Sequence, residues 1–177
     1  MPQPYELLEI APEPEVDLLI IGCGNVLRGD DALGPVLIRR LWQNEDLPER
    51  VRLLDGGTSG MDVVFQMPKA RSVVIVDACS MGQEPGTVYH VPGHEVENLP
   101  EPGTQGSHDF RWDNAIAFGR WLLGPHFPAD IDIYLVEAQG IDFGAELSDA
   151  AEAGMAIVTE HLRERINGVR QSTQVSK

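Results

Sequence analysis

Apolar and polar positions alternate in blocks along the chain, and the blocks predict strands and helices in turn. The run "DLLIIG" is apolar without alternation, the pattern of a strand buried on both faces. It is followed by "DALGPVLIRRLWQ", where Leu33, Val36, Leu37, Arg40 and Leu41 fall at helical spacing and Asp30 or Asp31 is the expected N-cap. The unit recurs in looser form. "VRLLDGG" predicts a strand ending on Asp55, Gly56 and Gly57, and "SGMDVVFQM" a helix stopped by Pro68. "SVVIVDA" is the most apolar strand candidate and ends on Asp77. "GTVYHV" reads as a shorter strand, "GHEVENLPEPGTQGS" as a long loop, and "DFRWDNAIAFGRWLL" as a helix carrying Phe110, Ala117 and Trp121 on one side. "DIDIYLVEA" is a partly alternating strand, and "ELSDAAEAGMAIVTEHLRERI" an amphipathic helix.

Strands that alternate with helices predict an α/β fold: a three-layer sandwich with a twisted, mainly parallel sheet of about five strands and helices on both faces. A length of 177 residues suits one such domain without disulfides or structural metal. Residues 1–16 hold four prolines and four glutamates and are expected to form a flexible extension. The single α/β domain is expected over 17–167, and a frayed tail over 168–177.

Composition narrows the partners. With 28 acidic against 13 basic residues the formal charge is -15, which repels nucleic acid and anionic lipid, so neither a nucleic-acid nor a membrane partner is expected. Cys23 and Cys79 are too few for a disulfide framework, and "MPQPYELLEIAPEPEVD" lacks the basic and apolar regions of a signal peptide. No apolar run is long enough to span a bilayer, so a cytoplasmic location is expected.

In open sheets of this kind ligands bind outside the carboxyl ends of the strands, which here carry Asp30, Asp31, Asp55 and Asp77. The glycines of "GCGNVLRGDDA" imitate a nucleotide loop, yet the third glycine of the dinucleotide fingerprint is replaced by Leu27, and no Gly-Lys-Ser or Gly-Lys-Thr follows. Two acids at the same helix start also oppose an anion: at an effective dielectric of ~20, like charges ~4 Å apart repel by about 4 kcal/mol. Only Asp55, placed like a ribose-binding acid, speaks for a nucleotide.

Converging carboxylates suit a cation instead. With His108 of "GTQGSHDFRW" added, Asp, Asp and His with open coordination positions make a candidate transition-metal site. Bland roles compete at each position. One of Asp30 and Asp31 serves as a helix cap in the plainest reading, and an isolated histidine is more often simply hydrogen-bonded. Asp77 resists a bland reading, because an acid ending so apolar a strand is costly to bury unless paired or bound. His90, His94 and Glu95 in "HVPGHE" contain Pro92 and Gly93, cannot form a helical i, i+4 pair, and are read as a surface loop. Cys23 and Cys79 are read as small buried residues. Neither HExxH nor a Ser, His and Asp set at motif spacing is present.

Five stretches together resemble the hydrogenase maturation endopeptidases: "GCGNVLRGDDALGPVLIRRL", "LLDGGTSGMDVV", "VVIVDACSMGQEPGTV", "SHDFRWDNAIAFGRWL" and "VEAQGIDFGAELSDAAEAGM", in the family's order. Ala32 stands where many members carry glycine. The resemblance implies an α/β sandwich and an endopeptidase that removes the C-terminal peptide of a nickel-iron hydrogenase large-subunit precursor. It implies Asp31, Asp77 and His108 as metal ligands and as the catalytic set. It further implies that nickel is supplied by the substrate and read as a recognition signal, with zinc or another divalent ion able to replace it in vitro. Asp55, Gly56, Gly57 and Thr58 of "DGGTSG" are the implied substrate-contacting loop. Hydrolysis is expected to use a metal-polarised carbonyl or a metal-bound water, with Asp31 or Asp77 accepting a proton. The competing readings are a non-catalytic nickel-dependent docking or carrier factor and a general metal-dependent peptidase.

Overall fold

A computed structural model describes residues 3–8, 14–95 and 112–175. The apolar runs become strands β1 (Val16–Cys23), β2 (Val51–Gly57), β3 (Ala70–Cys79), β4 (Val88–Pro92) and β5 (Asp130–Glu137). Between and after them lie α1 (Leu33–Asn44), α2 (Gly60–Gln66), α3 (Trp112–Leu123) and α4 (Asp149–Val175). The strands form one sheet in the order β2-β1-β3-β5-β4. β1, β2, β3 and β5 run parallel, and β4 lies antiparallel against β5 at the edge.

Strand alternation divides the core. On one face Leu19, Ile21, Val73, Ile75, Ile133 and Leu135 pack with Val63, Val64 and Met67 around α2 and with Ile116 and Leu123 of α3. On the other, Leu18, Ile20, Val74, Val76 and Val136 meet Leu33, Leu37 and Leu41 of α1 and Met155, Val158 and Leu162 of α4. This is the three-layer α/β sandwich expected. Because both faces of β1 and β3 are covered, their sequence shows no polar alternation.

The close seat of α1 on β1 depends on two glycines. A Cβ on Gly34 would lie 2.2 Å from the Cys23 carbonyl oxygen, and one on Gly22 2.2 Å from the carbonyl oxygen of Gly34. Backbone thus touches backbone, and the helix start is pressed onto the carboxyl end of the strand.

Three expectations are corrected. The segment 168–177, expected to fray, continues α4 as far as Val175: Val169 packs on the α1 side of the core and Arg170 donates to the carbonyl of Asp46. Within 1–16, expected to be a flexible extension, Pro4–Leu7 form a 3-10 turn, the Tyr5 ring sits against Gly124, and Leu8 joins the core. Finally, neither Asp30 nor Asp31 caps α1. A 3-10 turn over Gly29–Ala32 precedes the helix, and Ala32 occupies the N-cap without a side-chain hydrogen bond.

Candidate functional site

The chain leaves β1 for β2 on one side and later returns to place β3 on the other, so the carboxyl ends of β1 and β3 border the crevice where an open sheet binds ligands. The β1–α1 loop and the last turn of β3 meet there at Gly24. Its φ of 131° lies where side-chain-bearing residues are strained, and a Cβ would fall 1.8 Å from the Asp31 carbonyl oxygen and 3.6 Å from Asp77 Oδ1. A glycine is required at this point, and it lets the Asp31 turn settle beside the Asp77 carboxylate. Asp31 is half-buried, and its Oδ2 accepts the Asn25 N–H at 3.2 Å. Asp77 is buried, and its Oδ1 accepts the Ala78 N–H at 2.8 Å.

The neighbouring acids are committed elsewhere. Asp30 is buried, and its carboxylate accepts the N–H groups of Gln139 (2.7 Å), Gly140 (3.3 Å) and Ser148 (2.7 Å) and the Ser148 hydroxyl (2.9 Å). Ser148 Oγ in turn accepts the Ala151 N–H at 3.1 Å and caps α4. Asp30 therefore secures a helix start, though that of α4 rather than of α1. Of the acid pair, this leaves Asp31, whose backbone carbonyl packs at Gly24 with Asp77 Oδ1 as the next neighbour.

β3, expected to end on Asp77, runs two residues further to Cys79, where it pairs with Glu137, the buried last residue of β5. Its Oε1 accepts the N–H groups of Met81 and Gly82, each at 2.8 Å, and of Gln83 at 3.2 Å, while Cys79 Sγ lies 3.5 Å from Oε2. It gathers the loop that follows β3. The sequence reading passed over Glu137, although its signal, an acid closing an apolar strand, was the one that singled out Asp77.

The "DGG" loop also borders the site. Gly24 donates to the Gly57 carbonyl at 2.8 Å, and Asp55 Oδ1 accepts the Gly57 N–H at 3.0 Å, closing a tight turn. Asp55 and Thr58 are exposed, whereas Gly56 is buried against Ile21, Val63 and Cys23. His108 lies outside the described residues. Among the described residues no group of three or more His, Cys, Asp or Glu side chains converges as a metal site. Carboxylate oxygens, the donors that Asp31 and Asp77 carry, are ligands of hard divalent cations.

The rival histidine cluster is dispersed. His90, read as part of a surface loop, lies in β4, where Nε2 contacts Asp132 Oδ1 at 2.7 Å and the ring stacks on Tyr134. His94 and Glu95 are exposed, 3.9 Å apart. Cys23 and Cys79 are both buried and free of disulfide.

Fold and site together define an open-sheet α/β protein with acidic side chains at its switch point. Residues 35–162 match the protein-family model described as hydrogenase maturation protease. The hydrogenase expression/formation protein HoxM of Azotobacter vinelandii is 27% identical over 154 residues, covering 84% of this chain and 73% of HoxM. The hydrogenase 2 maturation protease of Escherichia coli (strain K12) is 37% identical over 83 residues, 46% of this chain and 51% of that protein. The match to the coenzyme F420 hydrogenase subunit delta of Methanothermobacter thermautotrophicus spans 60% of that relative's length. Among solved structures, the hydrogenase maturating endopeptidase HybD from E. coli superposes with a TM-score of 0.73 at 25% identity, over 89% of this chain and 94% of HybD. The chain belongs to the hydrogenase maturation protease family.

Proposed function

We propose that this protein is an endopeptidase that removes the C-terminal peptide of a nickel-iron hydrogenase large-subunit precursor after nickel has been inserted. The observation that carries the reading is the packing of the Asp31 backbone turn at Gly24, next to Asp77 Oδ1, at the switch point of a hydrogenase maturation protease fold. In this reading nickel arrives with the substrate. Asp31, Asp77 and His108 engage it and so fix the scissile bond against the strand ends, and zinc or another divalent ion can occupy the same donors in vitro. Asp31 or Asp77 takes the proton from the attacking water, the work of a positioned general base. Asp55, Gly56, Gly57 and Thr58 line the path of the substrate chain. The reaction belongs in the cytoplasm, a reducing setting that suits two buried thiols without a disulfide.

The test uses purified components and follows the precursor by mass. Wild type is expected to shorten a nickel-loaded precursor, and Asp77→Asn and His108→Ala to leave it at full length while melting as folded proteins. A precursor that binds but keeps its tail would make the protein a carrier. Cleavage of unrelated short peptides by the isolated protein would make it a general peptidase.

A further inference from the structure

Around the acidic pair the molecule exposes apolar side chains that its fold does not require outside. Val26 and Leu27 on the β1–α1 loop are 50% and 55% exposed, and Ile141 and Phe143 on the β5–α4 loop 41% and 80%. The two loops are stitched to each other. Gly144 donates to the Leu27 carbonyl at 2.8 Å, Asp30 to the Gly140 carbonyl at 3.0 Å, and Arg28 Nε to the Ile141 carbonyl at 3.3 Å. The buried Asp30 carboxylate clamps the same pair from below through Gln139, Gly140 and Ser148. Four large apolar side chains are thereby held out on a hydrogen-bonded platform, two of them, Val26 and Leu27, in the segment that carries Asp31.

Resting on the proposed function, we infer that Val26, Leu27, Ile141 and Phe143 form the apolar centre of the surface that docks the precursor, with acidic side chains as its rim. A rigid aromatic anchor flanked by aliphatics is how protein interfaces concentrate affinity. Charge selects the occupant. Asp142 and Glu146 stand on the platform loop and Asp55 across the crevice, in a chain of formal charge -15, with Arg28 as the platform's own cation. A second copy of this chain, or an anionic bilayer, would meet that field with like charge. A precursor face with an apolar patch ringed by Lys and Arg complements it.

The experiment compares wild type, Val26→Ser with Leu27→Ser, Phe143→Ser and Phe143→Leu. Cleavage of nickel-loaded precursor gives kcat and KM, and calorimetric titration with nickel-free precursor reports docking without cleavage. The serine variants are expected to raise KM and weaken docking by about tenfold, with kcat and melting temperature within about twofold and ~1 °C of wild type. Phe143→Leu should recover most of the affinity, and added salt should weaken docking of every variant. Serine variants that dock as tightly as wild type would overturn the inference while leaving the proposed function standing. A wild type that docks but never cleaves, with docking lost in Phe143→Ser, would remove the proposed function and keep the surface. Wild type that binds neither form of the precursor, or that is a dimer split by Phe143→Ser, would overturn the inference.

Discussion

At the scale of single residues, the two adjacent acids of "GDD" have separate work. Asp30 is a buried acceptor for four donors, and Asp31 a half-buried one for a single N–H. Hydrogen bonds to a buried charge weigh about 1.5–3 kcal/mol each, and a lost acceptor leaves its donors unpaired. Asp30→Asn should therefore cost about 3 kcal/mol, a fall in Tm of roughly 10 °C in a chain of this size. Asp31→Asn should change Tm by no more than about 3 °C yet abolish processing of the precursor. Thermal unfolding alongside the cleavage assay reads both, and the reverse assignment of stability and activity would exchange their roles. Sequence alone recognised that one acid of the pair would serve a helix. It did not reveal which helix, because the partner Ser148 lies more than a hundred residues along the chain and meets Asp30 only through tertiary folding.

At the scale of elements, the continuous apolar runs of β1 and β3 were legible because both faces of those strands are covered. The seat of α1 was less legible, since Gly22 and Gly34 read as generic loop glycines until their backbones are seen in contact. Gly34→Ala would force a methyl into the Cys23 carbonyl, part helix from strand, and cost about 2 kcal/mol, seen as a Tm lower by roughly 6 °C. A Tm unchanged by this substitution would deny the close packing. The end of α4 escaped the sequence reading for a related reason. "NGVRQSTQVSK" has a weak apolar stripe, and the helix persists there through Val169 on the core and Arg170 on the Asp46 carbonyl. Arg163 of α4, bonded to Glu45 at the end of α1, and Arg40 of α1, paired bidentately with Glu152 of α4, bind the two helices together.

At the scale of the whole molecule, an acidic chain depends on its few guanidiniums to hold its elements together. The hydrogen bond from Arg50 keeps the Asp17 carboxyl below its ordinary range against the opposing effect of burial, and Arg40 does the same for Glu152. A carboxylate whose folded pKa is depressed contributes stability that is fully present above its unfolded pKa, about 4, and is lost as pH falls through the folded value. Acid should accordingly lower Tm below pH about 4, and Asp17→Asn with Glu152→Gln should flatten that limb of a Tm-against-pH curve. An unaltered limb would mean that these pairs do not govern it. The sandwich and the acids at its strand ends could be read from patterning. The clamp made by Asp30, the loop gathered by Glu137 and the apolar platform beside Asp31 could not, since each joins segments remote in sequence.

In the proposed function, Asp31 and Asp77 process a precursor that already carries its nickel. The most direct test of that function is the mass of purified large-subunit precursor, nickel-loaded and nickel-free, followed over time with the wild-type protein. Only the loaded form is expected to lose its C-terminal peptide. Equal shortening of both forms, or of neither, would contradict it.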